Sequence, residues 1–171
     1  MRLSVLPLFL AAMIVLLPAL SPGQSRTIKD LPLEELDGTK SKLADYLGQG
    51  PVYITFWALW CEPCKQELRA MKGVVERNKD EAFTLLAINE DTPKSLAKVK
   101  AYVASQGYTF PVILDPNAQL LQAFNGQALP FSILLGQDGK IIHTRTGYLP
   151  GDEKEIERDI LKAVSKGKVT E

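Results

Sequence analysis

A chain of 171 residues that is 46% hydrophobic and 23% charged has room for one folded domain with an ordinary core. Twenty Lys and Arg balance twenty Asp and Glu, so no global field selects nucleic acid or an anionic membrane, and local surface must choose the partner. The sequence shows no internal repeat or low-complexity tract, and its two cysteines define a single dithiol or disulfide pair.

The first segment differs in kind from the rest. Arg2 precedes an apolar stretch from Leu3 to Leu20, and Ser21-Pro22-Gly23-Gln24-Ser25 then supplies small residues. This is the layout of a secretory leader cut near Gly23 or Ser25. Pro7 and Pro18 interrupt the stretch, which barely reaches the roughly 18 to 20 residues that span a bilayer. Residues 1–25 are therefore expected to be a signal peptide or an uncut N-terminal anchor, and residues 26–171 a periplasmic or otherwise exported domain. In an oxidising compartment a close Cys pair is readily held as a disulfide, so a reducing role requires a supply of electrons, here expected from a membrane donor.

Beyond the leader, strand-like and helix-like pieces alternate. Residues 31–36 and the turn Asp37-Gly38-Thr39 predict an N-terminal hairpin, with 43–47 as a short helix before the turn at 48–51. The run Val52–Trp57 is short, β-branched and aromatic, and predicts a buried strand. Residues 66–77 are rich in helix formers, with Leu68, Met71, Val74 and Val75 at near-helical spacing. Between these two pieces lies Trp60-Cys61-Glu62-Pro63-Cys64-Lys65, so both cysteines sit at a strand-to-helix junction. Pro63 is placed in the first helical positions, where its missing N–H costs nothing. Cys61 faces free backbone N–H groups and the positive end of the helix dipole, which favours its thiolate.

Downstream, 83–89 predicts a second core strand, and Thr92-Pro93 opens a helix over 94–105 whose Leu96, Val99, Tyr102 and Val103 form a face that ends at Gly107. A short strand over 110–114 and a helix from Asp115-Pro116 through Phe124 follow. Phe131–Leu135 and 140–144 flank the turn Gly136-Gln137-Asp138-Gly139, and 152–165 closes the chain as an amphipathic helix with acids early and lysines late. Alternation of this kind argues for an α/β sheet covered by helices, with an antiparallel hairpin at its end.

A strand, then Trp-Cys-x-x-Cys at a helix start, then the lone Pro130 before a hairpin strand resembles the thioredoxin fold over about residues 27–166. The N-terminal hairpin, the string from Cys61 through Glu67 and the extra helix between Asn89 and Phe110 resemble its periplasmic TlpA/ResA/CcmG group. The resemblance implies a three-layer α/β fold, with a central mixed sheet, helices on both faces, an N-terminal hairpin and an inserted helix. It also implies a cis bond before Pro130, which sets the Leu129 backbone beside Cys61 as an edge for an extended substrate segment. Apolar Ala128, Leu129 and Phe131 stand where the group often has threonines.

The chemistry expected from this placement is thiol-disulfide exchange. Cys61 attacks a partner disulfide, and the more buried Cys64 resolves the mixed disulfide. Glu67, three residues past Cys64 on one helical face, is the candidate proton acceptor, and the resemblance places an influential glutamate there too. Thioredoxins use an aspartate in the preceding strand, where this chain has Thr55. Glu62 opposes a thiolate at Cys61 and shifts the potential by about 15 to 60 mV toward reducing. Trp60 reads as an apolar lip beside the reactive sulfur, Trp57 as core, Lys65 as a thiolate partner or a solvated cation, and Asn89-Glu90-Asp91 as a solvated strand end.

The expected function is reduction of disulfides in exported proteins, with apocytochrome c as the type of substrate the resemblance implies. The alternatives are an oxidase or isomerase of the same fold and a copper module built on Cys61, Cys64 and His143. The copper-delivery relatives of the fold carry one more residue between their cysteines, which argues against the latter. A structural zinc site lacks ligands, and a peroxidase needs a lone cysteine in a different setting. His143 alone reads as a surface strand residue. No cofactor, metal or nucleic acid is expected, and the chain is expected to be a monomer.

Overall fold

The computed structural model describes residues 28–169, so the expected leader at 1–25 lies outside the described residues. Among the described residues, no helix is long and apolar enough to cross a membrane.

Among the described residues, seven strands and four α-helices form in the order β1 (Pro32–Glu34), β2 (Lys40–Lys42), β3 (Val52–Trp57), α1 (Glu62–Arg77), β4 (Thr84–Asn89), α2 (Leu96–Gln106), β5 (Val112–Leu114), α3 (Gln119–Ala123), β6 (Phe131–Leu135), β7 (Ile141–Thr146) and α4 (Glu153–Val169). β1 and β2 make the antiparallel N-terminal hairpin, and 3₁₀ turns at Leu43–Tyr46 and Pro93–Ser95 replace the expected short helix and the first turn of the 94–105 helix. The third helix is shorter than expected, because Asp115 is spent as its anchor: its carboxylate accepts from the N–H groups of Gln119, Leu120 and Leu121 at 2.8, 2.8 and 3.1 Å. Gly107, at φ +60°, closes α2 in the left-handed conformation that glycine adopts freely.

The main sheet runs β5-β4-β3-β6-β7, with β3, β4 and β5 parallel and β6 and β7 antiparallel to their neighbours. β3 is therefore central and buried throughout, which is why its sequence is apolar and aromatic except at Thr55. Its residues alternate between two cores. Val52, Ile54 and Phe56 point with Leu86, Ile88, Ile113 and Ile133 toward the hairpin and α3. Tyr53 and Trp57 point with Leu68, Met71, Val74, Val99, Ile156 and Ile160 toward α1, α2 and α4. The layering is the one the resemblance implies. Each fully buried aliphatic or aromatic side chain contributes about 1.5 to 3 kcal/mol, so the two cores hold the sheet end that carries the cysteines.

The α2 face is shallower than its spacing suggests: only Val99 is fully buried, and Tyr102 is held by ring contacts instead. Tyr102 lies 5.6 Å from Trp57 and 6.2 Å from Tyr108, which stacks on Phe110 at 4.8 Å. These rings tie the inserted helix to the strand that leads into the cysteine loop.

Candidate active site

β3 ends at Trp57, and four residues later Cys61 becomes the N-cap of α1. Its backbone is extended, at φ −93° and ψ 98°, and its Sγ accepts the Cys64 N–H at 3.3 Å. A sulfur thus does the work that a Ser or Asp oxygen does at most helix starts, on the free N–H groups and positive dipole end that stabilise a thiolate. Pro63 occupies the first turn, where α1 starts four residues earlier than the helix-former run suggests. Cys61 and Cys64 are joined as a disulfide with Cα atoms 5.3 Å apart. Cys61 keeps 5% of its surface exposed and Cys64 none, so attack from solvent reaches Cys61 first.

The loop before Cys61 is pinned by a segment that the sequence reading left to solvent. Asn89 and Asp91 are buried, not solvated. Asp91 Oδ2 accepts from the Leu59 N–H and from Asn89 Nδ2, both at 2.8 Å, and the Glu90 N–H donates to the Trp57 carbonyl at 2.9 Å. The correction has a simple cause: these residues stand at the C-terminal end of β4, beside β3, where the loop needs partners for its backbone. Glu90 also faces Asp115, and burial together with that neighbouring carboxylate pushes its carboxyl up to about 9. A polar trio after a strand was the available signal, but it does not name the strand's neighbour.

Glu67 is 1% exposed, on the inward face of α1 one turn past Cys64. The Tyr53 hydroxyl donates to its Oε1 at 2.8 Å. Burial pushes the Glu67 carboxyl up to about 7; the Tyr53 bond and the Arg145 charge hold it from rising further. Glu67 Oε2 and Thr55 Oγ1 are buried with no hydrogen-bond partner, so one carboxyl oxygen remains available. A carboxyl near 7 is poised to take or give a proton at neutral pH. Tyr53 is the site residue that sequence reasoning missed, because it read only as strand core.

The charges outside are arranged differently from the expectation. Glu62 lies within 2.7 Å of the Lys65 ammonium and 3.3 Å of the Arg69 guanidinium, and these cations hold its carboxyl below its ordinary value. Lys65 is therefore turned to Glu62, and the field that Glu62 exerts on Cys61 is partly cancelled by its own partners.

Trp60 is 73% exposed and Leu149 71%, while Leu129 is half-buried and packs against the core that contains both cysteines. The Leu129–Pro130 peptide is cis, the isomer the resemblance implies, and the Pro130 carbonyl accepts the Gly147 N–H at 2.8 Å. His143 lies on β7 with Nδ1 3.8 Å from Asp159. Among the described residues, no three or more His, Cys, Asp or Glu side chains gather as a metal site.

This geometry supports a two-electron exchange: one sulfur at the surface to form an adduct, a second directly behind it to displace the partner, and an ionisable group beneath. Comparison with known proteins agrees. The AhpC/TSA family matches residues 25–144. The chain is 33% identical over 134 residues to the thiol-disulfide oxidoreductase ResA of Geobacillus kaustophilus, covering 78% of this chain and 74% of that one. It is 35% identical to the thiol-disulfide oxidoreductase ResA of Bacillus subtilis, covering 68% of this chain and 64% of the other. Among solved structures it is similar to a Chlorobium tepidum protein described as a thiol:disulfide interchange protein DsbE, at TM-score 0.72 and 30% identity, covering 80% and 94% of the two chains.

Proposed function

The chain belongs to the AhpC/TSA family and is a thioredoxin-like thiol-disulfide oxidoreductase, and from that premise we propose that it works as a reductase of disulfides in exported proteins. The observation that carries this reading is the sparse support of a Cys61 thiolate, whose Sγ accepts one N–H at 3.3 Å, while Glu67, buried one turn past Cys64 with its carboxyl near 7, supplies the base for the exchange. In the reducing direction Cys61 thiolate attacks a partner disulfide and releases one partner thiol. The Cys64 thiol then gives its proton to Glu67, and the resulting thiolate attacks Cys61 Sγ. The Cys61–Cys64 bond forms, the second partner thiol leaves, and the two electrons end on the partner.

The surroundings of Cys61 support the same direction. A strong oxidant of this fold owes its potential to a heavily stabilised thiolate, with low thiol pKa and several donors. Here Cys61 Sγ accepts one N–H at 3.3 Å, and the nearest lysine is turned to Glu62. Trp60, Leu129 and Pro130 are proposed to receive an extended, apolar-flanked segment around the target cysteine. Apocytochrome c, with its paired cysteines, is the proposed substrate type. A membrane donor is proposed to restore the dithiol, and the expected leader at 1–25 to deliver the domain there.

The test is to trap the adduct with Cys64→Ala in cells and identify what is bonded to Cys61, while measuring the Cys61–Cys64 potential at equilibrium. Recovery of CxxCH polypeptides and a potential near about −270 mV are expected. A broad set of folding proteins and a potential above about −180 mV would establish the oxidase or isomerase reading instead.

A further inference from the structure

Glu67 is 1% exposed, so any proton it takes must leave through neighbouring groups. The disulfide side of α1 is where a bound partner sits during resolution, and the opposite direction is built differently. The sheet register sets Thr55 against Ser132 and Ser132 against Arg145, a polar row running from the central strand to the edge. Thr55 and Ser132 are buried, and the Arg145 side chain is 23% exposed. Beside this row a recess of about 20 Å³ opens between β6, β7 and α4, lined by Tyr53, Ser132, His143, Arg145 and Asp159. That volume admits about one water; most of its wall is apolar, with Leu134 and Ile156 in the lining, and its hydrogen-bonding groups come from Tyr53, Ser132 and the β7 and α4 side chains. Tyr53 belongs to both places: its hydroxyl reaches Glu67 at 2.8 Å and its side chain lines the recess beside Ser132. It lies four residues before Trp57, about 13 Å back along the strand from the cysteine loop.

We propose that Tyr53 is a positioning residue that passes the Glu67 proton through Ser132 and this recess to solvent, behind the face that a partner covers. The proposal rests on the reading of Glu67 as the base for Cys64. After Cys64 has given its proton to Glu67 and closed the bond to Cys61, Glu67 carries one proton and no electrons remain to be moved. Once Glu67 is protonated the 2.8 Å bond reverses, its carboxyl donating to the Tyr53 oxygen while the Tyr53 hydroxyl turns to Ser132 Oγ or to a water in the recess. As the Glu67 proton passes to the Tyr53 oxygen the Tyr53 proton passes to that acceptor, and Ser132, where it accepts, gives its own hydroxyl proton to the water. Glu67 returns to carboxylate, Tyr53 ends unchanged, and the proton is in solvent. The charged and titratable groups that face this pair are Arg145 from β7, which favours the carboxylate, and Asp152 and Tyr148 from the segment before α4. Arg145 is itself shared with Asp152 at 4.0 Å and Glu155 at 3.4 Å, and His143 Nδ1 lies 3.8 Å from Asp159 in the wall of the recess.

The experiment is stopped-flow oxidation of the reduced protein by dithiobis-nitrobenzoate across pH 5 to 9. The first thionitrobenzoate released reports attack by Cys61, and the second reports closure by Cys64. Tyr53→Phe keeps the ring and the packing; the second phase is expected to slow about tenfold relative to the first at pH 7, its midpoint rising by about one unit. Ser132→Ala, which does not touch Glu67, is expected to slow the second phase without moving its midpoint. If both variants match the parent while Glu67→Gln shifts the profile, the route through Tyr53 is wrong and the base assignment stands. If Glu67→Gln itself leaves the second-phase profile unchanged, the base assignment fails and the route fails with it.

Discussion

The Tyr53 hydroxyl and Glu67 Oε1 lie 2.8 Å apart, joining the first half of the central strand to the helix that begins at the disulfide. The bond keeps one carboxyl oxygen satisfied in a core where an unpaired acid would be costly. It does not abolish the cost of burial, and that leaves a signature in stability. Glu67 titrates near 4.5 in the unfolded chain and about 7 in the folded one. Between those values the folded state holds a proton that the unfolded state has lost, so stability falls as pH rises. The contribution is whole below the unfolded value and gone above the folded one, a span of about 3 kcal/mol. Urea unfolding of the disulfide form from pH 4 to 8 is expected to show this decline, and Glu67→Gln to flatten most of it. The remaining slope continues upward toward pH 9, where Glu90 titrates with the same sign.

Asp91 holds the Leu59 N–H and Asn89 Nδ2 from a position that is 8% exposed. Asp91→Ala leaves both donors without an acceptor and is expected to lower stability by about 2 to 4 kcal/mol. Asp91→Asn keeps an acceptor oxygen and is expected to cost about 1 kcal/mol. The loop that sets Cys61 ahead of Cys64 loosens in the alanine variant, so the iodoacetamide rates of the two thiols are expected to converge. Thermal unfolding and timed alkylation of the reduced protein measure the two effects.

Glu62 and Lys65 act on the potential in opposite senses. With Lys65 and Arg69 already on the Glu62 carboxylate, Glu62→Gln is expected to raise the potential by less than about 15 mV. Lys65→Met removes the cation and leaves the acid, so the thiolate is less favoured and the potential is expected to fall. Equilibration against a dithiothreitol or glutathione couple at pH 7 reads both signs. A shift above 60 mV for Glu62→Gln would mean that its carboxylate acts on Cys61 unscreened.

Trp60 presents 73% of its surface beside the reactive sulfur. Because it is so little packed, Trp60→Ala is expected to change stability by no more than about 0.5 kcal/mol. The KM for a peptide disulfide is expected to rise about tenfold or more, the cost of losing an aromatic contact, while the rate with a small aromatic disulfide stays within about twofold. Equal losses with both substrates would assign Trp60 to the thiol chemistry instead of to partner binding.

The elements and the redox pair were legible because their signals are local. β6 is found over the expected Phe131–Leu135, and β3 over the expected Val52–Trp57, because each is a compact apolar run. Boundaries moved where a side chain outside the periodic run decided them. The Cys61 sulfur starts α1 before the helix formers begin, and Asp115 is consumed in capping, which shortens α3. The Asn89-Glu90-Asp91 segment was misread because a polar strand end looks the same whether it meets water or a neighbouring loop. Only the placement of β4 beside β3 distinguishes the two.

From its residues alone the chain specifies an α/β domain with two cysteines at a helix start and a glutamate one turn past the second. Backbone preference and the period of the apolar pattern act within a few residues. What only the folded chain decided is how those groups ionise. Glu67 is paired with Tyr53, fourteen residues away; Leu59 with Asp91, thirty-two away; and Glu90 is set against Asp115. A proton affinity depends on how much water a group has lost and on which charges and donors surround it, and long-range packing of the sheet and helices brings those neighbours together.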